Sequence, residues 1–466
     1  MFPFFLYFFH IFFIQNNFCV IINTKITTVS DSKTLSNLNK GNTNIIHKDQ
    51  IITFPLCIGF PKQCIDVLFD TGSLFLWIRN TEYNHFNSFV PNKSSTFTNK
   101  AKPITLSFGS GNVEGEIVND VINIDNTSYN SNKENFHWIL GNNVSINSEV
   151  NGIAGFGKDY SSNIDNYGTD KVNFTHFSLI NYLYEAKTIP YKIFAYKQLS
   201  SIKGELFIGE HGLNYYANNS QINGFDDYPK CFCDEINDIS TDKFYSMLWT
   251  CPILSIYVNI LSNVVLNKTL SSQQRILFDS GTNIVQIPNV FFSLLMGLYE
   301  KYSNNNCYFK YSNTFVCKKM FNINALPLIS LYMGNFTIEI NPEDVLEIMN
   351  YDEMDFITYS FRMSSWNEHI WIIGTNVLKK YHTIYDMEEG SIGVIYNVDF
   401  DSGKALTQIK IMDKYVVFIF VIFVIIICFL CAWNDKYNSK NFCIHKKKLN
   451  DNNFYDKGII LNDIKS

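Results

Sequence analysis

Charge is scarce in this 466-residue chain: Asp, Glu, Lys and Arg make up 17% of it and the formal net charge is −6. No basic stripe is present, so nucleic-acid binding, which neutralises phosphates with Lys and Arg, has no footprint here. The chain contains no H-E-x-x-H, no G-x-S-x-G and no C-x-x-C, and its nine His are scattered. Metal, serine and redox catalysis therefore have no motif to stand on, and neither a metal nor a cofactor is expected. Fixed short-period repeats are missing, as are long stretches of helical period between Ile51 and Tyr396. What is abundant is apolar: 46% of residues are hydrophobic and 16% aromatic. That excludes a disordered chain, and the length allows two or three domains with cores of their own.

The longest apolar run, Tyr415 to Trp433 (YVVFIFVIFVIIICFLCAW), has nineteen residues and no formal charge. As a helix it spans roughly 30 Å, enough to cross a bilayer. Beyond it, residues 434–466 carry seven Lys against four Asp, whereas 398–414 carry three Lys against three Asp. Positive charge marks the cytosolic side, so 434–466 reads as a cytosolic tail and 398–414 as a juxtamembrane stalk. A second apolar stretch, Met1 to Ile22, resembles a signal sequence, with an uncleaved signal anchor as the alternative. Either way the middle of the chain is expected to be luminal or extracellular, on a single-pass type I protein of the secretory route or cell surface. Seven of the eleven Cys fall in that middle region, where disulfides persist. So do sequons at Asn92, Asn126, Asn143, Asn173, Asn218, Asn267 and Asn335, which carry little weight in a chain so rich in Asn.

From Ile51 to Tyr396, short runs of Ile, Val, Phe and Tyr are broken by Gly, Asn and Ser, the pattern of a mainly β region. Short helices are expected at Phe177 to Ala186, Asn289 to Tyr302 and Asn376 to Lys380. Residues 23–50 are polar and read as a linker or short pro-segment. One long-range similarity stands out. Val67-Leu68-Phe69-Asp70-Thr71-Gly72-Ser73 returns as Ile276-Leu277-Phe278-Asp279-Ser280-Gly281-Thr282. Apolar-apolar-Gly follows each copy, with Gly155 85 residues after Asp70 and Gly374 95 residues after Asp279. Two homologous lobes are implied, 51–215 and 216–397.

In each copy a buried strand delivers a carboxylate, Gly permits a tight turn, and the hydroxyl residue after the Asp supports the loop. A lone D-T-G is ordinarily a turn with a solvated Asp. Two copies at equivalent places have another consequence. If the lobes meet about a pseudo-twofold axis, Asp70 and Asp279 come together, and carboxylates that close cannot both ionise easily. The pair then shares a proton: one member takes a proton from water while the other polarises a carbonyl, and an amide is hydrolysed without a covalent intermediate.

On these residues the segment 51–397 resembles the pepsin-family aspartic proteases and, within them, the plasmepsins. The resemblance implies a mainly β, bilobal fold, a peptide or protein substrate with apolar side chains near the scissile bond, and a monomer. It assigns catalysis to Asp70 and Asp279 and loop support to Thr71 and Ser280. Gly72, Ser73, Trp77, Gly281 and Thr282 become substrate-binding. Ile104 to Gly115 is similar to the family's flap, a hairpin that closes over substrate and brings Phe108, Gly109 and Ser110 to it. Ser after the second Asp is a plasmepsin-like choice. Gly152 to Gly155 and Trp371 to Gly374 resemble the segments that buttress the two loops.

Two positions depart from the family. Phe108 stands where Tyr is usual, which leaves the Trp77 indole without its ordinary partner and implies weaker catalysis rather than none. Thr375 stands where many relatives carry Asp, which should ease ionisation of the pair and move the pH optimum. Cys57 and Cys64 flank a hairpin-like turn and suit a cross-strand disulfide, with two buried thiols as the alternative. Cys307–Cys317 resembles a pair in the family's second lobe. Among Cys231, Cys233 and Cys251, one disulfide plus one thiol is expected rather than a zinc site. They lie in an enlarged stretch, 218–275, whose acidic part, Asp226 to Asp242, reads as a solvated insertion. The rival function is a weak or inactive peptide-binding receptor that keeps the groove.

Overall fold

The strand Gln63–Asp70 alternates inward and outward at its start and ends with four buried residues in succession. It is buried on both faces there and has a paired strand along each edge. Asn44–Ile58 runs antiparallel to it, opposing Thr53 to Leu68, and Gly152–Gly155 runs parallel, opposing Asp70 to Gly155. Parallel neighbours need a long crossover, which accounts for the wide spacing between the two signatures. Leu76–Arg79 then returns antiparallel to Gly152–Gly155. The second copy repeats this arrangement. Arg275–Phe278 lies parallel to Ile370–Ile373, and Val285–Ile287 runs antiparallel to that same strand.

These features come from a computed structural model that describes residues 20–34, 44–80, 88–109, 111–124, 136–146, 150–158, 177–213, 228–233, 247–270, 274–310, 314–318, 325–349, 358–361, 363–365, 369–397 and 400. One 14-stranded sheet joins strands of both halves, with Lys230–Phe232, Ser391–Tyr396 and Tyr381–Asp386 leading through Ile193–Gln198 and Lys203–Ile208 into the first half. Beneath the two Asp loops this sheet carries aromatic rings from both halves. Phe194 stacks on Tyr385 with centroids 4.7 Å apart, and Trp249 meets Tyr385 edge-on at 5.1 Å. Such pairs add about 0.5–1.5 kcal/mol each beyond their buried area.

Val20–Thr34 is a strand that pairs with Lys203–Ile208 over residues 20–25 and with Asn44–Ile58 over residues 25–34. Much of the stretch read as a linker or short pro-segment therefore lies in strands, and the last residues of the expected signal sequence enter the first of them. The reason is a period-2 pattern masked by polar neighbours: Val20, Ile22, Thr24 and Ile26 are buried while Asn23 and Lys25 are exposed.

Helices form at Leu179–Glu185, Asn289–Tyr302 and Thr375–Leu378, within or beside the three expected stretches, and also at Pro342–Val345. Asn289–Tyr302 buries Phe291, Leu295, Met296 and Tyr299, a single stripe at helical spacing, and places Lys301 in its last turn where the helix dipole favours a cation. Asn304 and Asn305, both at positive φ, turn the chain beyond its end.

Cys57 and Cys64 face each other across a hairpin with Cα atoms 3.9 Å apart and are disulfide-bonded. Cys231 and Cys251 form a second bridge, while Cys233 stays a buried thiol. Cys307 is disulfide-bonded and sits opposite Cys317 in the pairing of their strands. Within 218–275, Trp249, Cys251, Ile256 and Val258 are core residues. The acidic stretch from Asp226 to Asp242 lies largely outside the described residues, as does the expected spanning segment 415–433. No helix among the described residues is long and apolar enough to cross a membrane.

Candidate active site

Asp70 ends its strand, and the N–H of Gly72 donates to its Oδ1 at 2.9 Å. Asp279 is held alike by the Gly281 N–H at 2.8 Å. The hydroxyl residues between bind the loops to one another. Thr71 N–H donates to Ser280 Oγ at 3.0 Å, and Ser280 N–H donates to Thr71 Oγ1 at 2.9 Å. Each hydroxyl then donates to a carbonyl of the opposite strand, Thr71 to Phe278 at 2.7 Å and Ser280 to Phe69 at 2.8 Å. Both residues are buried, so each of these four reciprocal bonds forms in a low-dielectric setting that strengthens it.

This lock sets the distance between the carboxyls. A Cβ placed on Gly72 would lie 2.4 Å from the Asp279 carboxyl carbon, and one on Gly281 would lie 2.3 Å from Asp70 Oδ1. Each carboxyl thus occupies the space that glycine leaves open on the other loop. Any side chain at either glycine would push the pair apart.

Burial drives both carboxyls above the ordinary carboxylate range. Asp279 rises further, because the charge of Asp70 adds to its desolvation. Asp70 is held back by the Ser73 hydroxyl and the Gly72 N–H, which favour its ionised form. The two are bonded to one another through the side chains, so the pair shares a proton that it holds above the ordinary carboxylate range.

The other site residues predicted from sequence fall around this pair. Ser73 is buried, whereas Thr282 is half-buried and takes the N–H of Thr375 on its carbonyl at 2.8 Å. Thr98–Phe108 and Gly111–Asp120 form the flap hairpin, with Phe108 opposite Gly111. Gly109 is exposed at the tip, and Ser110 lies outside the described residues. Trp77 is fully buried, its ring centroid 6.4 Å from that of Phe108, and its indole N–H has no partner among the described residues. The Thr375 hydroxyl is likewise buried without a partner. Among the described residues no group of three or more His, Cys, Asp or Glu is placed to hold a metal ion.

The chain belongs to the eukaryotic aspartyl protease family. That family's model matches residues 53–395, which take in both Asp loops, the flap and the sheet that joins the halves. Chymosin of Camelus dromedarius is 41% identical over 75 residues, and pepsin-2B of Gadus morhua 33% identical over 75. Those stretches cover 15% of this chain, 19% of the camel protein and 23% of the cod protein. Renin of Rattus norvegicus aligns more widely at lower identity, 21% over 354 residues, covering 72% of this chain and 77% of the rat protein.

Sequence reasoning missed two partners of the family site. Tyr385, buried from the far end of the chain, brings its hydroxyl to Thr71 and Thr383, and burial pushes its pKa up to about 12. Trp249 donates its indole N–H to the Phe156 carbonyl at 2.6 Å, linking the two halves. Nothing local in the sequence announces the contact of Tyr385 with Thr71 or of Trp249 with Phe156, because the partners in each lie 93 residues apart or more.

Proposed function

We propose that this protein is an aspartic endopeptidase in which Asp70 and Asp279 share the chemistry. The observation that carries the reading is the locked pair itself, with each carboxyl against the other loop's glycine and Asp279 raised further than Asp70. Asp70 takes a proton from a water lying between the carboxyls, and that water's oxygen bonds to the scissile carbonyl carbon while Asp279 protonates the carbonyl oxygen. In the second step the proton on Asp70 passes to the amide nitrogen and the C–N bond breaks. Asp279 recovers its proton from a hydroxyl of the tetrahedral intermediate, so the pair ends as it began. The flap hairpin covers an extended peptide, and apolar side chains flank the scissile bond because Phe108, Trp77 and Leu68 surround it.

Ser280 after the second Asp keeps the plasmepsin-like resemblance. We further propose that the run 415–433 anchors the chain in a membrane of the secretory route or cell surface, with the Asp pair luminal or extracellular and the lysine-rich tail cytosolic. Disulfides at Cys57–Cys64 and Cys231–Cys251 support an oxidising compartment. The second reading, a binding protein that keeps the groove with slow chemistry, is favoured by one observation, the Trp77 indole without a partner beneath Phe108.

Hydrolysis of a peptide library by the full chain in detergent, from about pH 3.5 to about 7.5, decides between them. Cleavage that falls about 10²- to 10⁴-fold in Asp70→Asn and is blocked by a statine-type mimic is expected for the protease. A folded protein that binds peptides and cleaves none at any pH would leave the receptor.

A further inference from the structure

Indole nitrogen can only donate a hydrogen bond, and a buried donor without an acceptor retains its desolvation cost. Trp77 is in that position: it is 0% exposed and its N–H is unmet among the described residues. The side chains clustered with it, Leu106, Val113, Ile139 and Ile153, are apolar and offer no acceptor. Phe108 packs against the ring from the flap but is only partly buried, and Gly109 beside it has open space around it. The cover over Trp77 is therefore a partly exposed ring next to an open flap tip.

We infer that Trp77 is a specificity-determining donor: it selects, in the substrate side chain that packs against Trp77 and Phe108, a hydrogen-bond acceptor such as the Asn carbonyl or the Thr hydroxyl. This inference rests on the protease reading and narrows its substrate class. A site with an unmet buried polar group rejects a ligand that cannot meet it, so a partly polar side chain replaces the purely apolar one expected at that position. One recovered hydrogen bond corresponds to about 3- to 10-fold in kcat/KM.

The test uses the full chain in detergent and peptides that differ by the near-isosteric pairs Leu/Asn and Val/Thr at each position flanking the scissile bond. At one position the acceptor-bearing peptide should gain about 3- to 10-fold in relative kcat/KM. Phe108→Tyr, which adds a hydroxyl to the ring packed on the indole, should erase that gain, while Phe108→Leu should keep it. Equal preference at every position, or a gain that is the same in the wild type and in Phe108→Tyr, overturns the inference and leaves the protease reading standing. Failure to cleave any peptide overturns both.

Discussion

Thr71 and Ser280 hold the pair through equivalent bonds, yet their surroundings differ. Tyr385 reaches Thr71, while Thr375 stands behind the second loop with its hydroxyl buried and unmet among the described residues. An unmet buried hydroxyl costs about 1–3 kcal/mol, and valine has nearly the same shape. Thr375→Val should therefore raise unfolding free energy by about 1 kcal/mol, read from denaturant melts; a loss of stability instead would mean that the hydroxyl has a partner. The same position bears on chemistry, since a relative-like Asp there would add charge close to Asp279.

Among the elements, the N-terminal strand matters most for stability. Ile22 is 6% exposed inside the joining sheet, so Ile22→Ala should cost about 2–4 kcal/mol by thermal or chemical melting. A cost near zero would mean that the strand leaves the sheet in solution. The neighbouring strand Tyr381–Asp386 supplies a pH response. His382 is buried against the Phe207 ring, its Nε2 lies 2.9 Å from the His211 carbonyl, and Lys197 opposes it across the sheet. Burial lowers its pKa to about 3, the bond to the His211 carbonyl works against it, and the charges of Lys197 and His211 push the same way as burial. Because the folded pKa lies below the unfolded one of about 6.5, His382 stays neutral in the fold and contributes stability above pH 6.5. That contribution is lost as the pH falls from about 6.5 toward 3, by about 2 kcal/mol at pH 5. The expected signature is that His382→Gln flattens the decline of stability between pH 6.5 and 5. The raised carboxyls oppose this trend: Asp70 and Asp279 contribute stability at low pH and lose it as the pH climbs through their folded pKa values.

Across the whole molecule, the repeated Asp-Thr/Ser-Gly motif made the facing carboxyls legible in the sequence, because it is a local pattern that appears twice. Cys57 and Cys64 were legible because they are close along the chain and joined by one hairpin. The joining sheet was not. Val20, Ile22, Thr24 and Ile26 alternate with Ile21, Asn23 and Lys25 in a segment otherwise rich in Ser, Thr and Asn, and their partner strand, Lys203–Ile208, lies some 180 residues away in sequence. Tyr385 and Trp249 were hidden too, since a buried aromatic reads as core whether or not its polar end serves a site. The halves fold so as to make two carboxyls share one proton. The measurement that bears on this is the pH dependence of kcat/KM for one good peptide substrate, in the wild type and in Asp279→Asn. We expect a bell whose alkaline limb lies above the ordinary carboxylate range, reporting the shared proton, with activity lost in the variant. Activity that persists in Asp279→Asn, or an alkaline limb at an ordinary carboxylate pKa, would contradict it.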